Sequence, residues 1–424
     1  MKQRLQRRTS YFHIKVSIAR RAMLLLAVFL AVTTAPIAQA QTFTVLHRFT
    51  GGADGGNPWA GLTMDRAGNL YGTASMGGTH LFGTVFKLSR VGTGWTFAPL
   101  YSFNGGINDG GSPIARILFA PSGSLYGTTV GGGPIGFGTL YNLRPPARTC
   151  GRVLCPWMEN VVHGFAPADG FYPTGDLLFD QSGNIFGTAM DGPNGGECGG
   201  NGCGVVFKLL QSQGSWIYNI VYQFRPAPDA NVPQGGLISD SSGNFYGTTC
   251  DGGTQNRGTV FRMTPSGSEQ ILYNFQAQSD GYCPATGLIF DSAGNLYGTA
   301  SNGGAHDGGT AFELVHSGGG WNFVLLYSFG FHALASTLTM DAAGNLYGTT
   351  NGAGAFGNGA VFKLSPSQGA WVYTSLHDFT NGDDGGFPIS SVLFDASGNL
   401  YGTVSQGADQ GCFFGCGVVW EITP

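Results

Sequence analysis

Three features of the sequence predict an all-β, seven-bladed β-propeller with four antiparallel strands per blade. A short element of the type "GNLYGT" recurs seven times, each copy is followed by a partner of the type "GTVFKL", and the two ends of the repeating region are complementary. Self-similarity at a fixed period of 50 to 60 residues is the signature of a repeat architecture, and four strands per unit is the content of a propeller blade.

The copies of the first element begin at Gly68, Gly123, Gly183, Gly243, Gly294, Gly344 and Gly398, and their partners at Gly83, Gly138, Gly204, Gly258, Gly309, Gly359 and Gly417. Upstream of each first element lies a short apolar run such as "GLTMD", then a turn such as "RAGN". Downstream of most partners comes an aromatic ladder. Trp95, Phe97, Tyr101 and Phe103 share one parity, as do Trp216, Tyr218, Tyr222 and Phe224, and period two predicts a strand with one buried face. Each unit therefore reads as four strands. The repeating region opens with a lone ladder strand at Thr42 to Phe49 and ends with a first, second and third strand, so the N-terminal strand is expected to complete the last blade and close the ring. A parallel β-helix is the competing fold, but its coils would have roughly half this period.

Composition fits short strands joined by tight turns. The 424 residues include 73 glycines and only 10% charged residues, while 42% hydrophobic and 13% aromatic residues supply a core that a disordered chain lacks. Residues 1–40 read as a signal peptide, with a basic leader, the apolar run "AMLLLAVFLAV" and the small-residue site "AQA". Residues 41–424 read as one propeller domain. Without the leader the chain keeps 13 basic residues against 24 acidic ones, which argues against nucleic acid as a partner. The apolar run is short for a bilayer span and no later segment offers one.

Eight cysteines in an exported chain predict disulfides: Cys150 with Cys155, Cys198 with Cys203, Cys412 with Cys416, and Cys250 with Cys283. The spacing within the close pairs does not match a zinc site, and neither a metal nor a cofactor is expected.

Most eye-catching polar residues belong to the repeat. The Asp of "D-x-x-G-N" starts a hairpin turn, and the glycine inside "YGT" predicts a close backbone approach between blades. His47, His163 and His377 stand where other units place tyrosine, so they read as packing residues. The loop between second and third strands and the link between blades should share one face. There the link aspartates Asp54, Asp109, Asp169, Asp229, Asp280 and Asp384 are expected beside the ligand-binding candidates His80, Phe82, Phe137, Asp191, Asp251, His306, Asp307, Phe356, Asp409, Phe413 and Phe414. Carboxylates interleaved with aromatic rings suit a carbohydrate, hydrogen-bonded at its hydroxyls and stacked on its face.

The stretch "GLIFDSAGNLYGTASNGGAHDGGTAFEL" resembles the repeat of the choice-of-anchor tandem-repeat family called GloVer, and the likeness covers all seven units. The resemblance implies an exported bacterial protein of propeller-like architecture, with no reaction attached to the motif. The chain ends at Pro424 without a sorting helix, so the expected location is secreted or periplasmic. The functional expectation is a monomeric binding or scaffold module for a glycan or another extracellular or envelope protein. The alternative is an extracellular polysaccharide hydrolase or lyase using Asp and His residues of the same face.

Overall fold

The computed structural model describes residues 41–146, 157–193, 195–276, 278–330, 333, 335–408, 411–412 and 415–424. The leader, Cys150, Cys155, Asp409, Phe413 and Phe414 lie outside the described residues. Residues Phe43–Thr423 form one compact unit. It consists of seven four-stranded antiparallel sheets, the blades of a β-propeller. In the first blade the strands are Thr63–Met64, Leu70–Ala74, Thr84–Val91 and Gly94–Ser102. The seventh blade is assembled from both ends of the chain: Leu393–Phe394, Leu400–Val404 and Val418–Thr423 are joined by Thr42–Arg48 as outer strand. The expected closure is thus observed, and Phe49 N–H donates to the Gly417 carbonyl at 3.1 Å just past the paired strands.

The repeated "D-x-x-G-N-L-Y" is one hydrogen-bonded unit. Asp65 Oδ1 accepts the N–H groups of Ala67 and Asn69, and Oδ2 accepts the Asn69 side-chain amide at 2.7 Å and the Tyr71 hydroxyl at 3.1 Å. Burial alone would raise the Asp65 pKa, but these donors outweigh it and hold the carboxyl below its usual range. The same box recurs at Asp240, Asp341 and Asp395. Ala120 replaces the aspartate in the second blade and forgoes it.

The "YGT" glycine has a different role from the one expected. Gly72 pairs across the ladder with Phe86, and a Cβ on Gly72 would sit 2.5 Å from the Phe86 ring and 2.9 Å from Leu62. Gly402 stands in the same relation to Trp420 at 2.3 Å. The close approach is therefore an aromatic ring lying over the glycine of its own blade, not backbone against backbone between blades.

Contact between blades falls to the threonine of the same motif. The hydroxyls of Thr73, Thr128, Thr188, Thr248, Thr299, Thr349 and Thr403 each donate to a backbone carbonyl of the next blade. The last, Thr403 to Ala60 at 3.0 Å, joins the seventh blade to the first. All seven threonines are buried, so each bond satisfies groups that water cannot reach.

The aromatic ladder also departs from its expected geometry. In the first blade the register shifts between Val85 and Phe86, so Phe97 faces Leu88 but Tyr101 faces Val85. This bulge moves the second half of the ladder to the opposite face. Trp95 and Phe97 pack with residues of the seventh blade, whereas Tyr101 and Phe103 pack with the second. A blade inside a ring has neighbours on both sides, and the bulge lets one strand fill both seams. The shift recurs in the second to sixth blades, and seven clusters of buried side chains occupy the seven seams.

Alanine normally suits a strand interior better than glycine, so Gly72→Ala separates the two factors. The expected result is a loss of about 1–3 kcal/mol from the clash with Phe86. Adding Phe86→Leu should cost less than the two single changes together, measured by denaturant unfolding; a neutral Gly72→Ala would contradict the ring-over-glycine packing.

Candidate functional site

The link into each blade pairs with that blade's loop between second and third strands or, in the sixth, with the last residue of the second strand. Gly110–Gly111 pairs with Gly131–Gly132, Ala230–Asn231 with Asp251–Gly252, and single bridges join Gly56 to Met76, Phe171 to Asp191, Tyr282 to Asn302, Ala335 to Thr350 and Gly386 to Gln406. Links and loops therefore share one face, as the sequence suggested.

The link aspartates are largely committed to the fold. The Tyr101 hydroxyl donates to Asp109 at 3.0 Å, Tyr222 to Asp229 at 3.0 Å and Tyr273 to Asp280 at 2.7 Å. Where the repeat has histidine, His47 meets Asp54 at 3.2 Å, His163 meets Asp169 at 3.3 Å and His377 meets Asp384 at 3.1 Å. Five of these aspartates also accept a backbone N–H of their own link, from Thr50, Asn104, Arg225, Gln276 and Thr380. The expected acidic lining of the face is thus turned inward as a set of link caps. Each histidine also stacks on a ring of the next blade: His47 on Phe97 at 3.8 Å, His163 on Tyr218 at 4.0 Å and His377 on Phe43 at 3.7 Å. Burial lowers all three histidine pKa values, only partly offset by the adjacent aspartates, so the imidazoles are neutral at pH 7.

The described loop candidates are spread over six blades. His80, Phe82, His306, Asp307 and Phe356 are exposed, with the Phe82 ring lying against Gly105 and Asp307 accepting the Gly303 N–H at 3.1 Å. Phe137 packs on Phe171 at 4.8 Å. Asp191 is buried, its Oδ2 has no hydrogen-bond partner among the described residues, and burial pushes its pKa up to about 6. Burial also raises Asp251, which lies in the short ribbon with Asn231. Two carboxyl groups escaped sequence reasoning. Glu159 and Glu269 occupy the outer-strand position that holds Phe97 or Tyr218 elsewhere, and burial together with Asp109 and Asp229 pushes them up to about 8 and about 7. Three of the expected disulfides are formed: Cys198–Cys203, Cys250–Cys283 and Cys412–Cys416. They suit an oxidising compartment. Among the described residues no helix is long and apolar enough to cross a membrane.

A cavity of about 380 Å³ is lined by residues from all seven blades, which places it on the propeller axis. Seven chain segments converge here, and half of the residues that line the cavity are Gly, Ala, Ser or Thr. A Cβ on Gly61 would lie 2.4 Å from the Ser391 hydroxyl, and one on Gly236 would lie 2.9 Å from Asp176. Just before the first strand, five blades place Gly61, Gly236, Gly287, Thr337 and Ser391, while the second and third place Arg116 and Asp176. Arg116 Nε lies 3.2 Å from Asp176 Oδ2, and the Arg116 N–H donates to Asp176 Oδ1 at 2.8 Å. Neither terminal guanidinium nitrogen makes a hydrogen bond to a described residue, and the Arg116 side chain is 44% exposed. Two positions upstream of that site the other blades place Ile114, Thr174, Gln234, Ala285, Ala335 and Ile389, but the first places Trp59, 47% exposed and without a ring contact to another described residue. Trp59, Arg116 and Asp176 line one cavity, and none of the described loop candidates does.

Fold and cavity together define a seven-bladed β-propeller with an axial pocket. The model of the Gloeobacter/Verrucomicrobia repeat matches residues 33–200 and 194–420, and the chain belongs to that family. Among solved structures it is similar to a streptogramin B lyase, with TM-score 0.55 and 11% identity over 90% of this chain and 97% of that one. It is also similar to a polysaccharide lyase described as an ulvan lyase, with TM-score 0.55 and 12% identity over 88% of this chain and 95% of that one. At such identities the likeness is one of fold. No curated protein matches the sequence.

The histidine pairs make a signed pH prediction. With folded pKa values below 6.5, the unfolded chain takes up protons first, so their contribution is present above that pH and is lost as pH falls below it. Replacing His47, His163 and His377 by tyrosine, the residue the repeat uses elsewhere, should reduce the drop in Tm between pH 7.5 and 5.5. Parallel curves for variant and wild type would contradict the assignment.

Proposed function

We propose that the chain is an exported binding propeller that takes a saccharide in its axial cavity, with the exposed loop residues His80, Phe82, His306, Asp307 and Phe356 forming an outer rim for a longer glycan. One observation carries this reading. Trp59, Arg116 and Asp176 break the repeat at the single place where seven segments converge, and the ring itself has no use for an exposed indole there. An indole face stacks on the apolar face of a pyranose, while a guanidinium and a carboxylate beside it hydrogen-bond hydroxyls. A volume of about 380 Å³ falls within the range of roughly 300–1,000 Å³ usual for small-ligand pockets. Export is supported by the basic, apolar and small-residue pattern of the leader and by the three disulfides.

The test is a glycan array probed with the mature chain, followed by titration of each hit against Trp59→Ala. Trp59 belongs to none of the seam clusters, so its replacement should leave Tm unchanged while weakening binding at least tenfold, the loss of a central anchor. Unaltered affinity in a folded Trp59→Ala protein would remove the axial site from consideration.

A further inference from the structure

Resting on that axial reading, we propose that the saccharide carries a carboxylate, and that a single uronate group is held on the open edge of the Arg116 guanidinium. The inference comes from the balance of donors and acceptors around the cavity. Ala60, Gln234, Gly235, Thr286 and Ser390 all line it, and the carbonyl of each accepts a threonine hydroxyl, from Thr403, Thr174, Thr188, Thr248 and Thr349 respectively. The interactions that close the ring thus already occupy one of the two lone pairs on each of these carbonyls and reduce what they offer to the O–H donors of a neutral polyol. Both oxygens of Asp176 are also engaged, one by the Arg116 N–H and one opposite its Nε.

What the wall offers beside them is one charged donor edge. The terminal guanidinium nitrogens of Arg116 make no hydrogen bond to a described residue, and Gln234 lines the same space. A carboxylate only accepts hydrogen bonds, and its two oxygens match the planar fork of a guanidinium in a bidentate pair. Asp176 is the positioning partner. It holds the Arg116 side chain at Nε, and the terminal nitrogens keep no hydrogen-bond partner among the described residues. Among the described residues Arg116 and Asp176 are the charged ones that line the cavity, so the site has one charged donor fork and accommodates one carboxylate. A polyuronate as such is not the expected ligand, because the chain without its leader carries an acidic excess of 24 over 13. The matching chemistry is a mono-uronate, with Trp59 beneath the ring.

The experiment is isothermal titration of the mature protein with disaccharides that end in glucuronate or galacturonate, each compared with the same disaccharide ending in glucose or galactose. The expected result is at least a tenfold preference for an acidic member over its neutral counterpart, falling as salt is raised from 50 to 500 mM. Arg116→Gln should bring the acidic member down to the neutral level. Arg116→Lys, which keeps the charge but loses the fork, should fall between. If acidic and neutral sugars bind alike and Trp59→Ala weakens both, the carboxylate assignment is overturned and the axial site stands. If no member binds, or Trp59→Ala changes nothing, both fall. Should Arg116→Gln not fold, the salt dependence of the wild-type preference decides: a preference insensitive to salt overturns the proposal.

Discussion

A buried threonine hydroxyl given to a carbonyl of the next blade is the contact on which the ring depends. It recurs seven times, and the seventh, from Thr403 to Ala60, joins residues at opposite ends of the chain. Each such bond contributes only about 1 kcal/mol net. Its loss costs more, because the carbonyl left behind is buried and unpaired. Geometry then propagates the constraint. For the hydroxyls to reach their carbonyls the link segments must come close together at the axis, which explains the small residues at Gly61, Gly175, Gly236 and Gly287. The glycine before each threonine accommodates the third-strand ring, and the bulge in the outer strand distributes aromatic side chains to both seams.

The same constraint separates structure from recognition. A position repeated around the ring is already used by the blade: Asp65 by its turn, Gly72 by Phe86, Thr73 by the Ala115 carbonyl, Asp109 by Tyr101. Side chains with no such use are free to contact a ligand. Trp59 and the outer edge of Arg116 meet that description at the axis, where the crowding that demands small residues in five blades is relieved in two.

Much of the fold was legible in the sequence because it is written in period and in ends. Seven copies gave seven blades, and the unmatched first strand gave the closure. What sequence misjudged were side-chain directions. The parity of Trp95, Phe97, Tyr101 and Phe103 concealed a bulge, which inserts one residue without any marker in composition. The link aspartates read as an acidic face because their tyrosine or histidine partners stand several residues away, seven in the case of Tyr222 and Asp229. The link into the sixth unit lacks the aspartate although Tyr327 holds the partner position, so co-occurrence along the chain does not reveal the pairing. The site was readable in principle. Aligning the residue just before each first strand puts Arg116 and Asp176 beside Gly61, Gly236, Gly287, Thr337 and Ser391, but that column matters only once one knows that it faces the axis.

The most direct measurement is a crystal structure of the mature chain soaked with a disaccharide ending in one uronate. Electron density for the sugar is predicted on the axis, its carboxylate against the terminal nitrogens of Arg116 and its ring over Trp59, inside a ring closed by Thr403 and Ala60. Sugar density confined to the loop rim, or an axis in which Arg116 turns its terminal edge onto Asp176 and admits no ligand, would contradict it.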